Sequence, residues 1–275
     1  NNYAIPQKVA GGRQFQWLAA GKYFTCGLVV PSSGDDNGYD VYCWGKNDWG
    51  QLGSTQVVDS FGEYKTATPT IVNTLYLGSK KARRSKLTVG AEHACILPHN
   101  ANGIYCWGRG KYIGDNTNND NPVAVPALVE QNTDNFYFGE IHASETHTCA
   151  SRCTSTGCSA ASKIYCWGDN DYGQLGTGNT TPQRKASDAT AVTNVASHAP
   201  FIVEDTSNWA QSFLMVFKNG TCAYYRPAAT SGRRLFCWGQ YDTTYTTTTA
   251  TKVPTDMKVS HNFNKYVHQM RRDRD

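Results

Sequence analysis

Apolar positions alternate with polar ones over short runs, and each run stops at glycine, proline or a cluster of Ser, Thr, Asn and Asp. Phe15–Gly21 leads into Tyr23–Val30, which alternates around Cys26. The polar loop Ser32–Gly38 then returns the chain to Asp40–Trp44. A period of two predicts half-buried strands, and a short polar connection predicts that the two strands form an antiparallel hairpin. The same order returns at Lys86–Leu97 with Ile104–Gly108, at Phe138–Ala150 with Ile164–Gly168, and at Trp209–Tyr225 with Leu235–Gly239. Helical periodicity is nearly absent. The predicted class is all-β.

The strands return because the chain repeats. Cys43-Trp44-Gly45, Cys106-Trp107-Gly108, Cys166-Trp167-Gly168 and Cys237-Trp238-Gly239 close the hairpins, about 60 to 70 residues apart, and such a long fixed period marks one supersecondary unit copied along the chain. The first and third copies run on as Asn47-Asp48-Trp49-Gly50-Gln51-Leu52-Gly53 and Asn170-Asp171-Tyr172-Gly173-Gln174-Leu175-Gly176. The second reaches Ile113-Gly114 through a degraded turn, and the fourth dissolves into Thr243–Thr251. Upstream lie Phe24-Thr25-Cys26, His93-Ala94-Cys95, His147-Thr148-Cys149 and Gly220-Thr221-Cys222. The chain reads as a single repeat domain, 1–275, with repeats at about 1–64, 65–122, 123–182 and 183–251. Val253-Pro254 and Met257–Met270 replay the first half of a unit, so 252–275 reads as a partial fifth, and Ala186–Pro200 reads as an insertion. Glycine after each Trp permits positive φ or close backbone approach, and each Trp supplies a large buried area.

Ten cysteines sharpen the picture. Eight fall two per repeat, with separations of 17, 11, 17 and 15 residues. Facing positions on neighbouring strands satisfy disulfide geometry without backbone movement. The expected bonds are Cys26–Cys43, Cys95–Cys106, Cys149–Cys166 and Cys222–Cys237, with Cys153–Cys158 stapling the third loop. A zinc reading competes, but among these only Cys149, Cys153 and Cys158 approach the close spacing that structural zinc requires. A cystine framework implies an oxidising compartment, hence a secreted protein. The start at Asn1 without Met fits a processed secretory protein or an excised fragment. With 39% hydrophobic and 17% charged residues, the composition is globular, and no run is long and apolar enough to span a membrane. A net charge of +4 is mild. Lys80–Arg84 and Arg271–Arg274 read as solvated segments, not a nucleic-acid face.

The succession of a Gly-x-x-His-Thr-Cys-like strand, a loop, Tyr-Cys-Trp-Gly and Asn-x-x-Gly-Gln-Leu-Gly resembles the regulator of chromosome condensation repeat family. Tyr42–Gly53 and Tyr165–Gly176 carry the specific matches. The resemblance implies a β-propeller. Family propellers commonly have seven blades, more than this chain has repeats.

No catalytic motif accompanies the repeats: Ser–His–Asp ordering, HExxH, P-loop and dinucleotide fingerprint are all missing. His93 and His147 share one repeat position and read as structural hydrogen-bonding groups. Asp48 and Asp171 read as turn formers. Asp115–Asp120 is rich in oxygen ligands but lacks EF-hand spacing. Asn179-Thr180-Thr181 and Asn219-Gly220-Thr221 are N-glycosylation sequons, and Thr243–Thr251 suits O-linked sugar. The expectation is a non-enzymatic extracellular scaffold, without cofactor or metal, whose partners are proteins, including copies of itself in an oligomer or filament, and glycans. The runner-up is a secreted binding or inhibitor propeller acting on a protein or glycan. A nuclear GTPase exchange factor ranks third, because its compartment is reducing.

Overall fold

The computed structural model describes residues 8–9, 11–29, 40–54, 62–72, 85–98, 103–116, 118–131, 137–153, 162–184, 202–203, 213–225, 234–242 and 248–257. These residues form four four-stranded sheets. The first contains β1 (Phe15–Ala20), β2 (Phe24–Val29), β3 (Asp40–Lys46) and β4 (Lys65–Ile71). The second contains β5 (Lys86–Val89), β6 (His93–Leu97), β7 (Gly103–Arg109) and, after the single turn α1 (Gly110–Ile113), β8 (Pro122–Gln131). The third contains β9 (Tyr137–Ala143), β10 (His147–Cys153), β11 (Ser162–Gly168) and β12 (Ile202–Val203). The fourth contains β13 (Phe213–Val216), β14 (Gly220–Tyr225), β15 (Arg234–Asp242) and β16 (Thr248–Met257). Every pairing is antiparallel and consecutive. β1 packs beside β5, β5 beside β9 and β9 beside β13. Sheets stacked side by side through their innermost strands are blades of a β-propeller.

Lys86–Leu97 and Phe138–Ala150 read in sequence as unbroken stretches, yet each holds two strands. The reversal needs no polar loop. Gly90 N–H donates to the His93 carbonyl at 2.7 Å, and Ser144 N–H donates to that of His147 at 2.8 Å. Gly21–Phe24 and Phe217–Gly220 repeat the bond. Gly90 suits this turn because a Cβ there would lie 2.4 Å from the Ser144 carbonyl oxygen of the next sheet. The turn residues of neighbouring sheets therefore touch.

The sheets straddle the sequence repeats. β4 begins at Lys65, where the second repeat begins, and pairs back onto β3. β16 likewise completes the fourth sheet on β15, taking in Thr248–Thr251 and Val253-Pro254. The rest of the Met257–Met270 stretch lies outside the described residues. Opposite Trp44, Trp107 and Trp238 the outer strand carries extra residues. Cys43 pairs Thr70 while Gly45 pairs Thr66, and Cys106 and Cys237 begin the same shift against Ala127 and Thr255. Pro69, Pro126 and Pro254 sit in these bulges, where no ladder N–H is required. In the third sheet Gly168 bridges Gln183, and Ile202–Val203 pairs at the far end of β11. Ala186–Pro200, which the sequence reads as an insertion, lies between them along the chain, outside the described residues.

Residues paired across a ladder share a face, so Cys26 and Cys43 lie on one face of the first sheet and Thr25 and Trp44 on the other. The buried clusters join unlike faces. Cys26, Leu28, Val41 and Cys43 pack against Ala94, Ile96 and Trp107 of the second sheet. Cys95, Ile104 and Cys106 pack against Ala150 and Trp167. Cys149, Ile164 and Cys166 pack against Ala223 and Trp238. Each interface thus sets a cystine face against a tryptophan face.

Candidate interaction surface: sheet interfaces and the open face of the first sheet

Each cysteine pair occupies directly opposed positions, and the bonds are Cys26–Cys43, Cys95–Cys106, Cys149–Cys166 and Cys222–Cys237. Cys158 lies outside the described residues, and with it the expected Cys153–Cys158 bond. Gly45, Gly108, Gly168 and Gly239 adopt φ of 110°, 112°, 112° and 83°. A Cβ on any of them would lie 2.4 Å from a carbonyl oxygen, those of Tyr23, Glu92, Thr146 and Asn219 respectively. Only glycine fits this crossing of backbones.

The turn after each intact box is a side-chain-braced coil. Asn47 Oδ1 accepts from the Leu52 N–H at 2.9 Å, and Asn170 Oδ1 from the Leu175 N–H at 3.0 Å. Gln51 and Gln174 accept from the N–H groups of Trp49 and Tyr172. The brace aims a backbone carbonyl at the following sheet. Gln51 O receives Trp107 Nε1–H at 2.9 Å, and Gln174 O receives the Thr221 hydroxyl at 3.0 Å. The second sheet's turn is shorter and lacks the glutamine. Trp167 Nε1, in the following sheet, is buried without a hydrogen-bond partner among the described residues.

Both repeat histidines are latches between sheets. His93 Nε2 meets Thr148 Oγ1, and His147 Nε2 meets Thr221 Oγ1, each at 2.9 Å. Thr221 donates its proton to Gln174 O, so it accepts from His147 Nε2–H, which leaves Nδ1 to accept from Ser144 Oγ at 2.6 Å. Burial disfavours the imidazolium and pushes His93 down to about 4 and His147 to about 3. The threonine partners were visible in the sequence as repeat residues, but no periodicity announced their hydrogen bonds.

The sequence reading missed Arg109. Its guanidinium donates through Nε and one terminal nitrogen to the two Asp120 oxygens, each at 2.7 Å, and through the other to Glu92 at 2.6 Å. It also lies 4.3 Å from the Trp49 ring centroid of the preceding sheet. Arg109 holds the Asp120 carboxyl down at about 2. The oxygen-rich Asp115–Asp120 segment is accordingly engaged elsewhere: Asn118 accepts from Arg184, and Asn119 from the Asn121 N–H. Among the described residues no group of three or more His, Cys, Asp or Glu could hold a metal ion. Asp48 pairs with Lys46, and Asp171 is exposed.

Trp107, Trp167 and Trp238 are 0%, 2% and 0% exposed, each covered by the preceding sheet. Among the described residues, no sheet covers the same face of the first sheet. It carries Phe15, Leu18, Tyr42, Trp44 and Ile71; Leu18 is 56% exposed and Ile71 45%, while Trp44 is half-buried. Phe15 packs against Trp44 in a tilted arrangement with ring centroids 5.3 Å apart, and Arg13 lies over Tyr42.

The family model described as the regulator of chromosome condensation (RCC1) repeat matches residues 40–97 and 162–209. Two segments of the chain are thus similar to the RCC1 repeat. Both matches begin at the strand that carries the Cys-Trp-Gly box, and the first ends in β6 of the next sheet, so the RCC1 unit of sequence crosses a sheet boundary. Among curated proteins, the chain is 28% identical over 145 residues to the human E3 ubiquitin-protein ligase HERC2, covering 51% of this chain and 2% of that protein. It is 27% identical over 183 residues to the ultraviolet-B receptor UVR8 of Arabidopsis thaliana, covering 65% and 35%. The chain therefore spans a minor part of these RCC1 relatives. Among solved structures it resembles human WBSCR16, with a TM-score of 0.62 at 16% identity, over 93% of this chain and 57% of that one. It also resembles Prp20p of Saccharomyces cerevisiae, with a TM-score of 0.60 at 18% identity, over 93% and 52%. These are RCC1 propellers, and the likeness establishes the fold.

Proposed function

We propose that the chain is a non-enzymatic extracellular interaction protein that assembles with copies of itself through the open tryptophan face of its first sheet. The observation that carries this reading is the contrast between that face and its three buried equivalents. An apolar, aromatic face built to receive a cystine face three times within the chain is suited to receive it a fourth time. The counterpart on a second copy is the cystine face of the fourth sheet, which no later sheet follows among the described residues. Such a contact is heterologous, so it propagates into a filament unless its rotation closes.

The cystines support an oxidising compartment. Prp20p is described as binding Gsp1p and histones; the nuclear exchange role ranked third from the sequence would expose the four bonds to cellular reductants, which disfavours it here. Sedimentation of the oxidised full chain over a wide concentration range tests the reading. Concentration-dependent association is expected, and Leu18→Glu with Ile71→Glu should abolish it while leaving the melting temperature unchanged. A chain that stays monomeric throughout, or forms a stoichiometric complex only with a different protein or a glycan, overturns self-assembly and favours a binding or inhibitor propeller.

A further inference from the structure

The two sequons, identical in motif, sit in opposite surroundings. Asn179 lies in the exposed loop after the third box turn, where Gly178 through Pro182 are all exposed. Its Oδ1 is turned back onto the loop and accepts from the Thr181 N–H at 2.9 Å and from Thr177 Oγ1 at 3.3 Å. The loop is tied to the protein by the buried Asn170, whose Nδ2 donates to the carbonyls of Asn179 and Thr181, each at 3.0 Å. The oxygen of this exposed side chain is thus anchored to its own loop, and the amide nitrogen is not used in that anchoring. Asn219 is the reverse case. It sits in the tight turn between β13 and β14, and its Nδ2 donates to Gln240 Oε1 at 2.9 Å. The sequon threonine Thr221 is fully buried, its hydroxyl shared between Gln174 O and His147 Nε2.

We propose that Asn179 is an N-glycosylation site of this protein and that Asn219 is not. The proposal rests on the extracellular reading above. The donor class is an oligosaccharide linked through a diphosphate to a lipid. Asn179 Nδ2 forms the new bond to the anomeric carbon of the sugar, and the bond from that carbon to the diphosphate oxygen breaks. The lipid diphosphate leaves, and one amide proton passes to a base of the transferase. A sugar on Asn179 projects from the third sheet, two sheets from the open face of the first, and leaves both that face and the internal interfaces intact. A sugar on Asn219 would cost the Gln240 hydrogen bond and crowd the β13–β14 turn beside the His147–Thr221 latch.

The test is peptide mapping of the full chain made behind a secretory leader in eukaryotic cells, with enzymatic deglycosylation in heavy-oxygen water to mark each occupied Asn. Label is expected at Asn179 and not at Asn219. Asn179→Gln and Thr181→Ala should each remove one glycan mass, Thr181→Ser should retain it, and Asn219→Gln should leave the mass of the sugar unchanged. An unlabelled Asn179, or any label on Asn219, overturns the proposal. The leader imposes entry into the lumen, so that failure is separate from failure of the extracellular reading. The latter would appear as free thiols in the chain taken from its own source.

Discussion

A tryptophan in this protein is worth what the preceding sheet offers it. Trp107 finds the Gln51 carbonyl, whereas Trp167 Nε1 has no hydrogen-bond partner among the described residues. Trp→Phe removes similar area at both, so Trp107→Phe is expected to cost about 1 kcal/mol more in urea unfolding, the net value of one hydrogen bond. Equal costs would show that the bond contributes nothing. The histidines set a pH dependence. Folded, His93 and His147 titrate near 4 and 3; unfolded, near 6.5. The unfolded state binds more protons below 6.5, so their contribution is full above that pH and lost as pH falls toward 4 and then 3. Melting temperature should drop between pH 6.5 and 4, ahead of the window of Asp120, whose pKa is lowered from 3.8 to about 2. A flat profile down to pH 4.5 would count against the latches. At this scale the sequence was legible where chemistry is local, as in the glycine that follows each Trp. It was silent about Arg109, because nothing in a one-dimensional pattern places Trp49 over it.

At the scale of elements, the Cys-Trp-Gly strand and its partner were readable because the cysteines mark the register between them. The innermost strands were not separable, because a reversal closed by a single backbone bond leaves the alternation unbroken on both sides. The crossing at Gly108 gives a sharp expectation. Gly62 has a φ of 80° with open space around its Cβ position, whereas Gly108 adds a clash at 2.4 Å with the Glu92 carbonyl to a φ of 112°. Gly62→Ala should cost roughly 1–2 kcal/mol, the penalty of left-handed backbone alone, and Gly108→Ala clearly more, as read from denaturant midpoints.

For the whole molecule, the repeat was evident in sequence but its division into sheets was not. A segment such as Pro126–Val129 looks like the start of a unit because it precedes the next inner strand, yet it folds back as the outermost strand of the unit before. Sheets stacked in this way share stability with nearest neighbours. Ile104→Ala, between the second and third sheets, should cost about 2–5 kcal/mol and lower amide protection in both flanking sheets together; loss confined to one sheet would contradict the coupling. The orientation of the cystines has a further consequence. Cys26, Cys43, Cys95, Cys106, Cys149 and Cys166 are all 0% exposed, each sealed by the sheet that follows. A small thiol reaches those sulfurs only when two sheets part, so the rate at which each bond is reduced in the native protein is a clock for the opening of one specific joint. Read bond by bond, the chain reports its own breathing.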